Sequence, residues 1–188
     1  MRKVIWSLAI IAFALMGCGK APDSASSSTP VSTNSASDAN DLPTSKLKDP
    51  DRIFQLDDLK KTTIKTPGGD LNLWIMDVED KRREGMMFLQ DKEVKENEGM
   101  IFVFPKVQEF KGNYAFWMHN TVLPLDIVYI SKDKKVVNVG KGKPFNDDPV
   151  KPEGDYFYVI EVKQGLASKF GMTPGAKVDI SSELKGLP

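Results

Sequence analysis

The chain has 188 residues but only one cysteine and one histidine. A single cysteine, Cys18, excludes an intrachain disulfide even where the compartment would permit one. It also leaves residues 49–188 without a thiol, so cysteine nucleophiles and zinc–cysteine sites are excluded there. With His119 as the lone imidazole and no Gly-x-Ser-x-Gly elbow, a hydrolase triad is poorly supported. Charge of one sign is lacking too. The 26 basic and 26 acidic residues cancel, and removal of Arg2 and Lys3 leaves 24 basic residues against 26 acidic ones. That balance gives no footprint for nucleic acid and no strong charge-based attraction to a membrane surface. There is no internal repeat and no phosphate-binding glycine loop, and neither a cofactor nor a metal is expected.

No apolar run is long enough to span a bilayer comfortably. The longest, residues 4–15, follows Arg2 and Lys3 and has the length of a signal-peptide core. Leu15-Met16-Gly17-Cys18 then reads as a lipobox, with Leu at minus three, a small residue at minus one and cysteine at the cut. On this reading residues 1–17 are a lipoprotein signal peptide. Cys18 takes a diacylglyceryl group and becomes the acylated new N-terminus, and two or three chains on one residue give stable anchoring. The plainer alternatives are an ordinary signal peptide with an incidental cysteine, or an uncleaved anchor. The expected address is the bacterial cell envelope, on the periplasmic side of the outer membrane in a Gram-negative host.

Residues 18–48 hold Cys18 and then Ser, Thr, Ala, Asn, Asp and Pro, with almost no large apolar side chain. Such a stretch cannot bury enough surface to offset its ordering entropy. It reads as a tether that, as a random coil of about 30 residues, would span roughly 30 Å.

Residues 49–188 make one domain's worth of chain. Leu71, Leu73 and Ile75 alternate with Asn72, Trp74 and Met76, which predicts a strand buried on both faces. Thr66-Pro67-Gly68-Gly69 marks the turn of a hairpin with residues 62–66. Further strands are predicted at 100–104 (ended by Pro105), 114–119, 127–130, 136–139, 157–162 and 177–180. Short helices are predicted at 79–87, capped by Asp77 or Asp80, and at 165–170, stopped by Gly171. Residues 144–154 read as an exposed loop. The expected fold class is α+β and β-rich, a compact barrel- or sandwich-like antiparallel sheet with two short helices.

The polar content concentrates in Phe116-Trp117-Met118-His119-Asn120-Thr121 and the following Pro124-Leu125-Asp126. With Phe116 and Met118 facing the core, Trp117 and His119 share the other face. There they either form a wall for a flat ligand such as a sugar or a base, or simply cover the sheet and meet solvent. Asn120, Thr121 and Asp126 either stabilise the turn or line a polar pocket. Glu161 stands in an apolar strand, where a lone carboxylate needs a partner. Met76, Met86, Met87, Met100 and Met118 with His119 raise the question of copper, although their apolar surroundings favour core packing.

Gly85-Met86-Met87-Phe88, Gly99-Met100-Ile101-Phe102-Val103-Phe104-Pro105 and the segment from Phe116 to Asp126 together resemble the domain of unknown function 192 family. The resemblance implies a known fold without a settled biochemistry. It also singles out Arg82, which falls on the arginine that precedes the family's glycine by three positions. Leu89 stands where the family commonly has a second arginine, and His119 where it usually has lysine. Val159-Ile160-Glu161-Val162 followed by Gly165 looks like the family's closing strand, which makes Arg82 the natural partner for Glu161.

The expectation is an envelope lipoprotein held to the membrane through its lipid. Its single domain, 49–188, is expected to bind a small polar or carbohydrate-like ligand, or a partner protein, without catalysis. Arg82, Trp117, His119, Asn120, Asp126 and Glu161 are its candidate binding residues. One alternative is an envelope hydrolase using Asp126 and Glu161, and another is a Met/His copper carrier.

Overall fold

The computed structural model describes residues 51–111, 115–181 and 184. The predicted signal peptide, Cys18, the predicted tether and Tyr114 lie outside the described residues. A 3-10 turn, Leu56–Asp58, precedes the hairpin of β1 (Lys61–Thr66) and β2 (Gly69–Met76). Then come α1 (Glu79–Glu84), a 3-10 turn at Asp91–Glu93, β3 (Glu98–Gln108), β4 (Leu125–Ile130), β5 (Val136–Gly142), β6 (Tyr156–Lys163) and α2 (Leu166–Lys169).

The strands form one six-stranded sheet in the order β1-β2-β3-β6-β4-β5. The domain is β-rich α+β, as the sequence predicts, but two details of that prediction need correction. The sheet is not closed into a barrel, because β1 and β5 remain at its edges. It is mixed rather than antiparallel, since β2 and β3 run parallel. The connection carrying α1 is long enough to make that crossover, which a tight turn could not.

Each face of the sheet is covered by its own apolar cluster. Leu71, Leu73 and Ile75 pack on one face with Val128, Ile160, Leu166 and Phe170. Trp74 and Met76 pack on the other with Met100, Phe102, Ile127 and Val159. The double-sided bulk of β2 follows from this arrangement. Its hairpin forms as predicted, and the Thr66 hydroxyl donates to the Gly69 carbonyl at 2.7 Å across the turn.

Other boundaries differ for local reasons. β3 does not stop at Pro105 but runs to Gln108. Its pairing with β6 is irregular between Val103 and Gln108, where a residue without an N–H costs no ladder bond. The segment predicted as strand 114–119 makes only an isolated bridge, Phe116 to Val150. The predicted final strand reduces to bridges of Lys177 to Lys135 and Asp179 to Lys65. α1 ends at Glu84 rather than at Met87, because Gly85 turns to φ 47°. Val78 is its N-cap, with no side-chain cap bond. Asp77 instead pairs with Lys81 at 2.7 Å.

Candidate functional site: a cavity floored by Glu161

The site begins with one carboxyl group in the middle of a sheet. Glu161 on β6 is flanked by Met100 on β3 and Ile127 on β4. It is only 4% exposed. The Met86 N–H bonds to its carboxyl group, while its Oε2 has no hydrogen-bond partner. Burial raises its pKa to about 8, and the Met86 N–H and the charge of Arg52 pull it only part of the way back. At neutral pH the group is therefore the uncharged acid, able to donate as well as accept.

Gly85 closes over this carboxyl. A Cβ there would lie 3.2 Å from the Phe102 ring and 3.3 Å from Glu161 Oε2. With φ at 47° the position also disfavours any L side chain. The turn that follows is held from below. Arg52, its side chain 1% exposed, pairs with Glu84 at 3.3 Å. Arg52 also donates to the carbonyls of Gly85, at 3.0 Å, and of Met87. Glu84 in turn accepts the N–H groups of Ile53 at 2.6 Å and Phe54 at 3.0 Å. Neither Arg52 nor Glu84 is singled out by the sequence. Both are buried, and Arg52 gives no periodic signal because it stands alone at the end of a polar stretch. Arg83 is exposed and pairs with Glu79 at 3.2 Å.

The expected Arg82–Glu161 pair does not form. Arg82 donates instead to the carbonyls of Asp77 at 2.6 Å and Val103 at 2.9 Å, and its guanidinium lies 5.2 Å from the centre of the Phe104 ring. Those carbonyls lie closer to the guanidinium than the sheet-centre carboxyl does, which leaves Glu161 unpaired. Partial burial lowers the Arg82 pKa, against the opposing pull of Glu79 and Asp77.

Asp126 and Glu161 cannot act as a catalytic pair either. Asp126 is opposite Val162 and Glu161 opposite Ile127, so the two carboxyls project to opposite faces of the sheet. Asp126 is wholly buried and accepts Lys141 Nζ at 2.6 Å, Gly165 N at 2.8 Å and Ala167 N at 3.0 Å. It fastens the start of α2 to β4, which is a structural task.

Trp117 and His119 do share an outer face while Phe116 and Met118 join the core. Their rings stack, with centroids 4.9 Å apart and planes 21° from parallel. Trp117 is 48% exposed, and His119 Nδ1 lies 2.9 Å from Asp147 Oδ1. Asn120 works through its backbone: at φ 51° its carbonyl accepts the N–H of Phe88, itself at φ 65°. That bond, 2.8 Å long, ties the Trp117 loop to the turn over Glu161. Met76, Met86, Met100 and Met118 are packed in the core, so the thioethers do not converge on His119 as a copper site requires.

Between these parts lies a cavity of about 600 Å3. Its buried lining, which serves as the floor, is Glu161, Glu84, Gly85, Met86 and Tyr156, its half-buried lining Arg82, Phe104 and Phe116, and its exposed rim Glu79, Arg83, Lys106 and Trp117. Of the predicted site residues, Arg82, Trp117 and Glu161 line it. His119 and Asn120 support it, and Asp126 belongs to the other face. Thr121, which the sequence reading offered for a polar pocket, also lines it, and so do Tyr156 and Gln108, which that reading did not bring to this site.

Residues 61–180 match the family model for domain of unknown function 192, described as "Uncharacterized ACR". The chain belongs to this family. The match begins after Arg52, so the buried arginine under the site is contributed by residues outside the shared domain. Two solved structures resemble this DUF192 domain. One, from Novosphingobium aromaticivorans, is a protein of unknown function, 29% identical, with a TM-score of 0.56 over 71% of this chain and 91% of that one. The other, from Sinorhizobium meliloti, is provisionally described as a transcription regulator. It is 24% identical, with a TM-score of 0.57 over 64% of this chain and 94% of that one, a likeness of fold alone. No curated protein matches the chain.

Proposed function

We propose that this protein is a lipid-anchored envelope lipoprotein whose DUF192 domain binds a small polar ligand in the cavity above Glu161, without catalysis. The observation that carries the binding reading is the unpartnered oxygen of a buried carboxyl group at the floor of a cavity of about 600 Å3. A buried polar atom without a partner is costly, and a ligand recovers that cost as affinity where the Gly85 turn that covers the oxygen moves aside. The volume suits a small molecule. Aromatic walls with a few polar groups are the usual lining of such sites, and a half-exposed Trp117 at the mouth adds a stacking surface. The separation of Asp126 from Glu161 onto opposite faces removes the acid–base pair that the hydrolase alternative needs. The N-terminal lipobox supports the envelope address.

The test is tryptophan fluorescence of the full mature chain in detergent, titrated with a small-molecule fraction of bacterial envelopes. Quenching that Trp117→Phe and Glu161→Leu each abolish is the expected result. A response unchanged by both substitutions contradicts the cavity as the binding site.

A further inference from the structure

Exposed apolar side chains are not spread evenly over this domain. Among the described residues five large ones are exposed: Ile53, Val78, Phe110, Trp117 and Phe145. None belongs to either core cluster. Each adjoins the cavity lining. Trp117 is part of it, Val78 directly precedes Glu79, and Phe110 follows Gln108 by two residues. The Ile53 N–H bonds to the Glu84 carboxylate, and the Phe145 N–H to the Thr121 carbonyl. Single exposed apolar residues are ordinary, whereas a group gathered around one opening marks a contact surface. Phe145 is the clearest case. It is bulky, 64% exposed and held at φ 56°, a backbone region that a bulky side chain seldom adopts. Core packing does not account for it.

What this surface meets follows from where the chain enters the domain. Arg52 and Ile53, at the start of the described residues, are bonded to Gly85, Met87 and Glu84 of the same lining. On the lipoprotein reading, Cys18 precedes them by little more than the tether, a coil of about 30 residues that spans roughly 30 Å. The chain from the proposed anchor therefore joins the domain at the cavity. The charges there are mixed. Arg83 and Lys106 of the rim stand with Glu79, Phe110 lies between Glu109 and Lys111, and Phe145 between Lys143 and Asp147. No single sign dominates, so apolar contact has to supply the hold. Phe110 stands two residues past β3 and Phe145 three past β5, at the ends of strands where side chains can reach outward. An indole with one apolar body and one polar N–H suits the headgroup layer of a bilayer.

Resting on the lipid-anchor reading above, we propose that the domain itself docks on the lipid surface, cavity mouth first. Trp117 enters the headgroup layer, with Phe110 and Phe145 beside it. The lipid keeps the domain at the membrane, and the aromatic contact, too small to hold the chain alone, orients it there.

The experiment places the lipidated full-length protein in vesicles of phosphatidylethanolamine and phosphatidylglycerol whose acyl chains carry bromine near the headgroups. Trp74 is buried, so the quenching that Trp117→Phe removes is that of Trp117. Its emission is expected to shift to the blue and to lose about half its intensity. Replacing Phe110 and Phe145 together by Ser should reduce that loss at least about twofold, with the circular dichroism unchanged. Raising the salt to about 0.5 M should leave the quenching in place. Protein that sediments with the vesicles while Trp117 stays unquenched overturns the docking and leaves the anchor standing. Quenching that the double variant leaves unchanged, or that salt abolishes, overturns it too. A Trp117 shift produced by envelope proteins and not by vesicles would replace the lipid surface with a protein partner. Protein that does not sediment with the vesicles removes the anchor reading and this inference together.

Discussion

At the scale of single residues, the site depends on two positions that tolerate no ordinary substitute. Gly85 combines a positive φ of 47° with a carboxyl oxygen and a ring at 3.2–3.3 Å from where a Cβ would stand. Gly85→Ala should cost about 2 kcal/mol in denaturant melts, from backbone strain and from displacement of Phe102 or Glu161. Glu161 is the other. In the unfolded chain its pKa returns to about 4.3, and in the folded domain it is raised to about 8. The folded state therefore binds the extra proton between those values. The contribution is fully present below the unfolded pKa and is lost as pH rises through the folded one, on the order of a few kcal/mol. Melts of the native chain should show stability falling over that window, and Glu161→Gln should remove this part of the dependence. A native profile that rises across the same window would contradict the assignment.

At the scale of elements, much of the sheet was legible in the sequence. The alternation of Leu71 to Met76 and the turn at Pro67-Gly68 predict β2 and its hairpin, and the apolar run before Lys163 predicts β6. These signals are local and repeat at the period of the strand. The site was legible only in part. Trp117 and Glu161 stand out because each is out of keeping with its surroundings, and Arg82 through the family motif. What Arg82 and Asp126 bind is set by strand order, which periodicity does not carry. The same holds for the parallel pairing of β2 with β3. Arg52 was illegible because its burial depends wholly on contacts with a turn distant in the chain, through Glu84, Gly85 and Met87. Removing it leaves Glu84 buried without its cation. Arg52→Ala should destabilise the domain by about 3 kcal/mol in urea melts. A cost below about 1 kcal/mol would place Arg52 among surface ion pairs.

For the whole molecule, we read the lipobox and the polar stretch after it as an address and a tether for the DUF192 domain. The balanced charge gives no strong charge-based attraction to a membrane surface, and the proposed anchor rests on Cys18. Cys18→Ala should move the protein to the soluble fraction and abolish incorporation of a fatty-acid probe. Continued membrane association of that variant would exclude the lipid anchor.

The central claim is that the carboxyl beneath the cavity is held neutral by its burial. The most direct measurement is the carbon-13 shift of the Glu161 side-chain carboxyl across pH, in full-length protein assigned by Glu161→Gln. The structure predicts a single titration with a midpoint of about 8. A midpoint in the ordinary glutamate range, near about 4 to 5, would mean that the floor of the cavity is charged at neutrality and would contradict the account.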